Sequence, residues 1–585
     1  MRRAASLLVV PLLAGLLAGL LAGCAGMPTD GPVVTTRDRG NSTSQQGPFD
    51  IEPLPPQPGQ SRTEVVRGFI NAMQAWPSDL ATAKQFLTTD AAAAWNPQQE
   101  MITYDSPPTP REVGTDVAVT LSAANRLDAR GAWQGAVPRG QRTLELPMTQ
   151  LEDGEWRITA APDALVVPQE WFSSRYRQVS VYFFDPTASI LEPEPVFVPV
   201  GEQLATTLTE ALLQGPGAGL QRVAQTFIPT GLDVAVGVAV SNDGVADVLL
   251  TGDPGQLSAD TIELMMAQFA WTLRQESKVQ SVRVTIGGQP VPLPGGVSSY
   301  RVDGGAEYDP AGFQSSPLLY GISDGRLVSG TAAALGRVDG PFGDRSYDLR
   351  SAGVDLAADR AAGVTADGTT VLAAPLADAG PGQVRTVATG TDFLRPAWDF
   401  SDRMWLVDRN GDAARVFQVD PHGGRAAPVR VPGLTGERVR MFLVSRDSTR
   451  LVAVVRRGGE DLLVVSRIEH NASGDVVGAL PAQRIAVGDA DLPIRAVSWR
   501  TPASLAVLNP LTPTFAQVAP ASVDGAPINP GFPATVDGRV LALAGSPVPD
   551  ESIYGVTRRG LIDVGATDHP TVPFQQPTTA VVYAG

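Results

Sequence analysis

A single cysteine, Cys24, stands in a chain of 585 residues. No disulfide can form within the chain, and no thiolate metal cluster can be built. The three histidines, His422, His470 and His569, are far apart in sequence. They leave little material for a histidine-based site and are read as surface or turn positions, so neither a metal nor another cofactor is expected. Lysine is almost missing: Lys84 and Lys278 are two of the 45 basic residues, and the rest are arginines. That bias points to a GC-rich bacterial source and says nothing about mechanism. The formal charge is −16, and the one basic cluster near a terminus is Arg2-Arg3. Nucleic-acid binding needs clustered cations on phosphates, so no nucleic-acid partner is expected. Beyond the N-terminus no stretch reaches 18 apolar residues, the length a membrane-spanning helix needs.

What is present is a globular composition. Hydrophobic residues make up 43% and charged residues 18%, enough apolar matter for real cores. At roughly 150 residues per domain the length suggests about four structural units. Gly (60) and Pro (50) are abundant, so turns are frequent. The N-terminus sets the compartment. Arg2 and Arg3 form a short basic region, and Leu7 to Ala22 is an apolar run of secretory-signal length. Leu21, Ala22 and Gly23 then precede Cys24, a sequence that resembles a bacterial lipobox. That resemblance implies cleavage before Cys24 and acylation of it, and two or more acyl chains hold a protein firmly on a membrane. The expectation is a signal peptide over residues 1–23 and a lipid-anchored protein on the extracytoplasmic face of the cell membrane.

Residues 24–60 carry the cysteine and a stretch rich in Pro, Gly, Ser and Thr. It reads as a tether with a coil-like reach of about 33 Å. Residues 61–165 open with Ser61-Arg-Thr-Glu64, a capping box, followed by Val66, Ile70 and Met73 on one helical face. Ser78 is placed to cap a second helix carrying Leu80, Ala83 and Leu87. Val117, Val119 and Leu121 then alternate as strands do, and Asp153-Gly154 marks a hairpin. A small α+β domain follows, its order similar to the NTF2-like class. Residues 170–300 read β-β-α-β-β-α-β. Leu204, Leu208 and Leu212 lie on a helix stopped by Gly215-Pro216, Val234 to Val240 alternate as one strand, and Asp260-x-x-Glu263 opens a second helix. Residues 305–585 hold short apolar runs between turn dipeptides such as Asp324-Gly, Asp367-Gly and Asp524-Gly. Val364, Trp398, Val444 and Trp499 mark a repeat with spacings of 34, 46 and 55 residues. A period near 40–45 with four strands per unit predicts an all-β propeller of about six blades.

The phrase Glu210-Ala-Leu-Leu-Gln-Gly-Pro216 with its surroundings resembles the GerMN domain of spore-germination and envelope proteins. The order of lipobox, tether, α+β domain, GerMN-like domain and propeller resembles the LpqB lipoproteins of actinobacteria. That resemblance implies a non-catalytic accessory of an envelope two-component system. Its partner would be the extracytoplasmic domain of a sensor histidine kinase, MtrB-like. The alternative is a binder or hydrolase of cell-wall glycan or lipid using a pocket of the propeller or of the α+β domain.

Catalytic motifs have bland readings beside them, and no catalytic or metal-binding residue is assigned. Gly321-Ile-Ser323-Asp-Gly325 matches a nucleophile elbow, but a strand and not a helix follows it, so a hairpin turn is expected. Gly215-Pro216-Gly217 follows a helix, which makes it a helix stop and not a phosphate loop. Asp408-Arg-Asn-Gly-Asp412 lacks the rest of a calcium loop and is read as a type I′ hairpin. Acidic residues are plentiful, but spacing brings no two carboxylates together.

Overall fold

A computed structural model of the chain describes residues 52–585, apart from 77–78, 202, 378–383, 412, 421–423, 488–491 and 529–532. Leu21, Ala22, Gly23 and Cys24 lie outside the described residues, as do Ser78, Asp412 and His422. Among the described residues no helix is long and apolar enough to cross a membrane.

The first domain starts on the capping box. Ser61 caps the helix Arg62–Ala72, and the Glu64 carboxylate accepts from the Ser61 N–H at 2.7 Å. Val65, Val66, Phe69 and Ile70 form its buried face. They share a core with a four-stranded sheet in the order Trp133–Ala136, Asn125–Asp128, Glu100–Tyr104, Leu165–Pro168. The last pair is parallel. A three-stranded sheet (Arg111–Val113, Asp116–Thr120, Thr143–Leu146) and the Met148–Gln150/Trp156–Ile158 hairpin complete the domain.

The second domain is built on a long hairpin, Tyr176–Phe184 with Leu191–Pro199, and two helices, Leu204–Leu213 and Ala259–Leu273. The longer helix is the crossover between parallel strands Val245–Thr251 and Ser281–Ile286, and ten of its residues are buried. Ser258, not Asp260, caps it, accepting from Thr261 N at 3.1 Å. The shorter helix stops as expected: Gly215 takes φ +69°, the left-handed conformation that spares glycine a Cβ clash. Val234 to Val240 is not one strand. Asp233–Val234 and Ala239–Val240 both pair with Val245–Thr251, and the backbone between them is drawn off to the helix, where Val238 N donates to Thr206 Oγ1 at 2.8 Å.

From Leu319 on, the chain forms a propeller-like domain. Among the described residues it has six antiparallel sheets of four strands, the one beginning at Val439 with a fifth short strand. Five sheets are formed by consecutive strands, beginning at Leu349, Ala397, Val439, Ala496 and Ala542. The sixth joins both ends of the domain: Thr579–Tyr583 pairs with Leu319–Ser323 and lies innermost. The inner strands touch one another in succession, from Thr579–Tyr583 through Leu349–Val354 and onward back to Ala542–Ala544. Residues of five of these inner strands line a central channel.

The connection from the first strand to the second repeats in kind. Asp355, Asp399 and Ser445 each start such a turn and accept from backbone N–H groups four or five residues on. Ala358, Asp402 and Ser448 sit three residues on with φ of 61°, 59° and 60°. Asp185 and Ala188 (φ 58°) build the same turn at the tip of the long hairpin.

Candidate functional site

Strand direction divides the propeller into two faces. First-to-second and third-to-fourth connections emerge on one face; second-to-third connections and the links between sheets emerge on the other. The first face carries the other domains. Gln178 of the hairpin donates to Ser522 Oγ at 3.0 Å and Asp524 Oδ2 at 3.1 Å, His470 N donates to Arg222 O at 2.8 Å, and Ala526 is part of the first domain's core. The first two domains are locked as well. Phe197 lies in the first domain's core, and its N–H donates to Gly131 O at 2.8 Å. A Cβ on Gly131 would stand 2.3 Å from Phe197 O.

The strongest feature of this docked face is a buried charge cluster. Glu192 and Glu194 lie two residues apart on the outgoing hairpin strand, so both reach the same side of it. Arg450 meets Glu192 at 2.6 Å and donates to Pro193 O at 2.5 Å, and Arg467 bonds both carboxylates. Asp447 stands 3.6 Å from Arg450. Glu192, Arg450 and Asp447 are essentially without solvent exposure. Burial, reinforced by the charge of Glu194, pushes the Glu192 carboxyl well above the usual carboxylate range. For Glu194, burial pushes upward too, but Arg467 and Arg450 prevail and hold it below that range. This is the carboxylate pair that sequence spacing could not find. Guanidinium groups engage Oε1 of each carboxylate, while Glu192 Oε2 has no hydrogen-bond partner among the described residues, and the arrangement serves as an interdomain lock.

The channel is different. Its cavity of about 30 Å³ is lined by Arg395, Arg446, Ser498, Trp499, Gly545 and Tyr583, among others. Arg446 bolts the docked mouth. It donates to Ala311 O at 2.7 Å and Ser315 Oγ at 2.9 Å on the segment entering the propeller, and to Ala584 O at 2.7 Å at the end of the chain. On the free face, Arg409, Arg438, Arg440 and Arg456 border an open groove with Asp392. Asp392 is held by Arg350 and Arg409, and the neighbouring Asp461 by Arg440 and Arg456.

The motifs singled out in sequence resolve as follows. Ser323 ends one strand and Arg326 opens the next, with Asp324 and Gly325 at φ 50° and 70° as a two-residue hairpin turn. Asp408 and Arg415 pair across a longer loop, so the type I′ reading of Asp408–Asp412 is corrected. The Asp408 carboxylate accepts from Thr391 N, Asp392 N and Arg415, which fixes the loop. His470 is not at the surface: it is buried at a strand end, and burial, reinforced by Arg403, pulls its pKa down to about 4. His569 sits in a turn at φ 44°. Among the described residues no group of three or more His, Cys, Asp or Glu side chains is placed to hold a metal ion.

Three family models match the chain in this order. "Lipoprotein LpqB, N-terminal domain" matches residues 55–173, "Sporulation and spore germination" matches 180–292, and "Lipoprotein LpqB beta-propeller domain" matches 325–569. The chain belongs to the LpqB lipoprotein family. Relatives named lipoprotein LpqB include that of Thermobifida fusca, 28% identical over 83% of this chain and 84% of the relative. That of Streptomyces coelicolor is 28% identical over 90% and 89%, and that of Mycobacterium tuberculosis 26% over 76% and 78%. Among solved structures, the first GerMN domain of Bacillus subtilis GerM is 19% identical over 21% of this chain and 96% of that chain, with a TM-score of 0.18. The family name places the protein with envelope lipoproteins.

Proposed function

We propose that this protein is a lipid-anchored, non-catalytic accessory on the extracytoplasmic side of the cell membrane. It binds the extracytoplasmic domain of a sensor histidine kinase, MtrB-like, and shifts that kinase between states by binding one of them better. In this reading the first domain is NTF2-like, the six sheets are the blades of a closed propeller, and Cys24 is the acylated residue. The observation that supports it is the division of labour between the two propeller faces. One face is consumed by the GerMN-like and N-terminal domains, through a buried ion cluster and a bolted channel mouth. The opposite face presents its turns and an arginine-bordered groove, and loops held on a rigid scaffold are where binding sites are built. Carboxylates held by arginines, in a sealed interdomain seam, do not favour the alternative of a wall-glycan hydrolase.

Two measurements test this. Cys24→Ala is expected to fold normally and to move from the membrane to the soluble extracytoplasmic fraction; retention in the membrane ends the lipidation argument. The full chain in detergent is expected to bind the purified kinase ectodomain saturably at micromolar concentrations or below, with paired reversals at Arg409 and Arg440 on the free face weakening it. Absence of binding to that domain, with a folded lipoprotein, rejects the kinase reading.

A further inference from the structure

We infer that the central channel of the propeller holds a binding site for one carboxylate group, with Arg395 and Ser498 as its ligands. The cavity is walled by inner strands. Gly545 brings two of them together: a Cβ there would stand 2.5 Å from Trp499 O and 2.6 Å from Ser498 Oγ. The space that remains, about 30 Å³, exceeds the ~10–15 Å³ that one water requires. It suits the two oxygens of a carboxylate and is too small for a sugar ring.

The polar groups of the wall divide into committed and uncommitted. Trp499 Nε1 donates to Val444 O at 3.1 Å, and Tyr583 Oη donates to Ser552 O at 3.0 Å. Arg446 is spent on three neutral oxygens at the docked mouth. Ser498 is 4% exposed, and its Oγ has no hydrogen-bond partner among the described residues. The Arg395 guanidinium has neither hydrogen bond nor ion pair among the described residues. Burial draws the pKa of Arg395, and likewise of Arg446, down to about 10, so both remain charged at neutral pH.

A half-buried cation without a counter-charge is under-used, and a buried hydroxyl without a partner is unfavourable. One anion removes both deficits. A planar carboxylate matches the guanidinium fork and accepts from a hydroxyl with its remaining lone pairs. The inference does not rest on the kinase reading, since either a small free carboxylate or an acidic side chain of a partner carries the required chemistry.

The test uses the full chain in detergent, with thermal unfolding followed at constant ionic strength and sodium chloride as the reference salt. Sodium acetate is one probe; the other is the tripeptide acetyl-Gly-Asp-Gly-amide, which carries its only carboxylate on a side chain. A saturable rise in unfolding temperature above chloride is expected for at least one probe. Arg395→Gln is expected to weaken that response at least tenfold and Ser498→Ala several-fold, both variants melting no lower than the wild type without ligand. A response to acetate equal to or larger than that to the peptide assigns a free carboxylate; a peptide response at least tenfold tighter assigns a partner's acidic side chain. The inference is overturned if neither probe stabilises the wild type beyond chloride, or if Ser498→Ala and Arg395→Gln respond as the wild type does. Should Arg395→Gln fail to fold, Ser498→Ala decides alone.

Discussion

Arg450 and Arg395 are arginines of one propeller, about fifty residues apart in sequence, in opposite electrostatic situations. Arg450 is 1% exposed and meets Glu192, Glu194 and Pro193 O on another domain. Arg395 lines the channel, half-buried, with neither hydrogen bond nor ion pair among the described residues. A buried charge is tolerated when its partners are built in, and a charge on a cavity wall without partners is open to a ligand. The same residue type is mortar in one place and a vacancy for an anion in the other.

The comparison can be broken most forcefully at Arg450. Arg450→Met leaves Glu192 buried beside Glu194 with one cation fewer, and the loss of one partner from a buried pair costs about 3–5 kcal/mol. Urea unfolding should show a drop of that order; a change under about 1 kcal/mol would mean the cluster is not the lock described here.

A smaller effect is expected at His470, which lies near Arg403 and Asp447 on the propeller side of the same seam. Its folded pKa of about 4 lies below the ordinary 6.5. Between those values the unfolded chain binds more protons, so stability rises with pH. The contribution is present above 6.5 and lost as pH falls toward 4. His470→Gln should therefore lose less stability than the wild type between neutral pH and about pH 5. Identical losses would sink the assignment. At the low end of the range, Arg395→Gln removes an unanswered charge and should leave the unfolding free energy unchanged or slightly raised; marked destabilisation would show that Arg395 is structural after all.

Much of the architecture was legible because it rests on local signals. The capping box at Ser61, the glycine stop at Gly215 and the Asp324-Gly325 turn all occur where their spacing placed them. The uneven propeller repeat has a specific cause. Trp398, Val444 and Trp499 stand on first strands of their sheets, but Val364 stands on a second strand. Its counterpart is Val354, which ends a first strand before the Asp355 turn. Both strands carry the same apolar signature, so a one-dimensional pattern cannot rank them. The Val234–Val240 run failed for a related reason: alternation shows which residues can face a core, but the pull of Thr206 on the backbone is a contact 32 residues away.

The candidate site was not legible at all. Glu192 and Arg450 are separated by more than 250 residues, and their encounter depends on the hairpin docking on one face of the ring. Arg395 and Ser498 converge only because inner strands of different sheets enclose one channel. Nothing in either local sequence marks Arg395 as unpaired, since its status depends on which carboxylates fail to arrive.

The sequence by itself determined the family, the order of domains, the β-rich repeat and the expected lipid anchor at Cys24. These depend on composition, periodicity and short motifs, which act over a few residues of chain. Only the tertiary structure decided which face of the propeller is covered, which arginines are matched and where a cavity remains. Those outcomes depend on distances across the fold, and electrostatic fate in a low-dielectric interior is set by neighbours in space, not by neighbours in sequence.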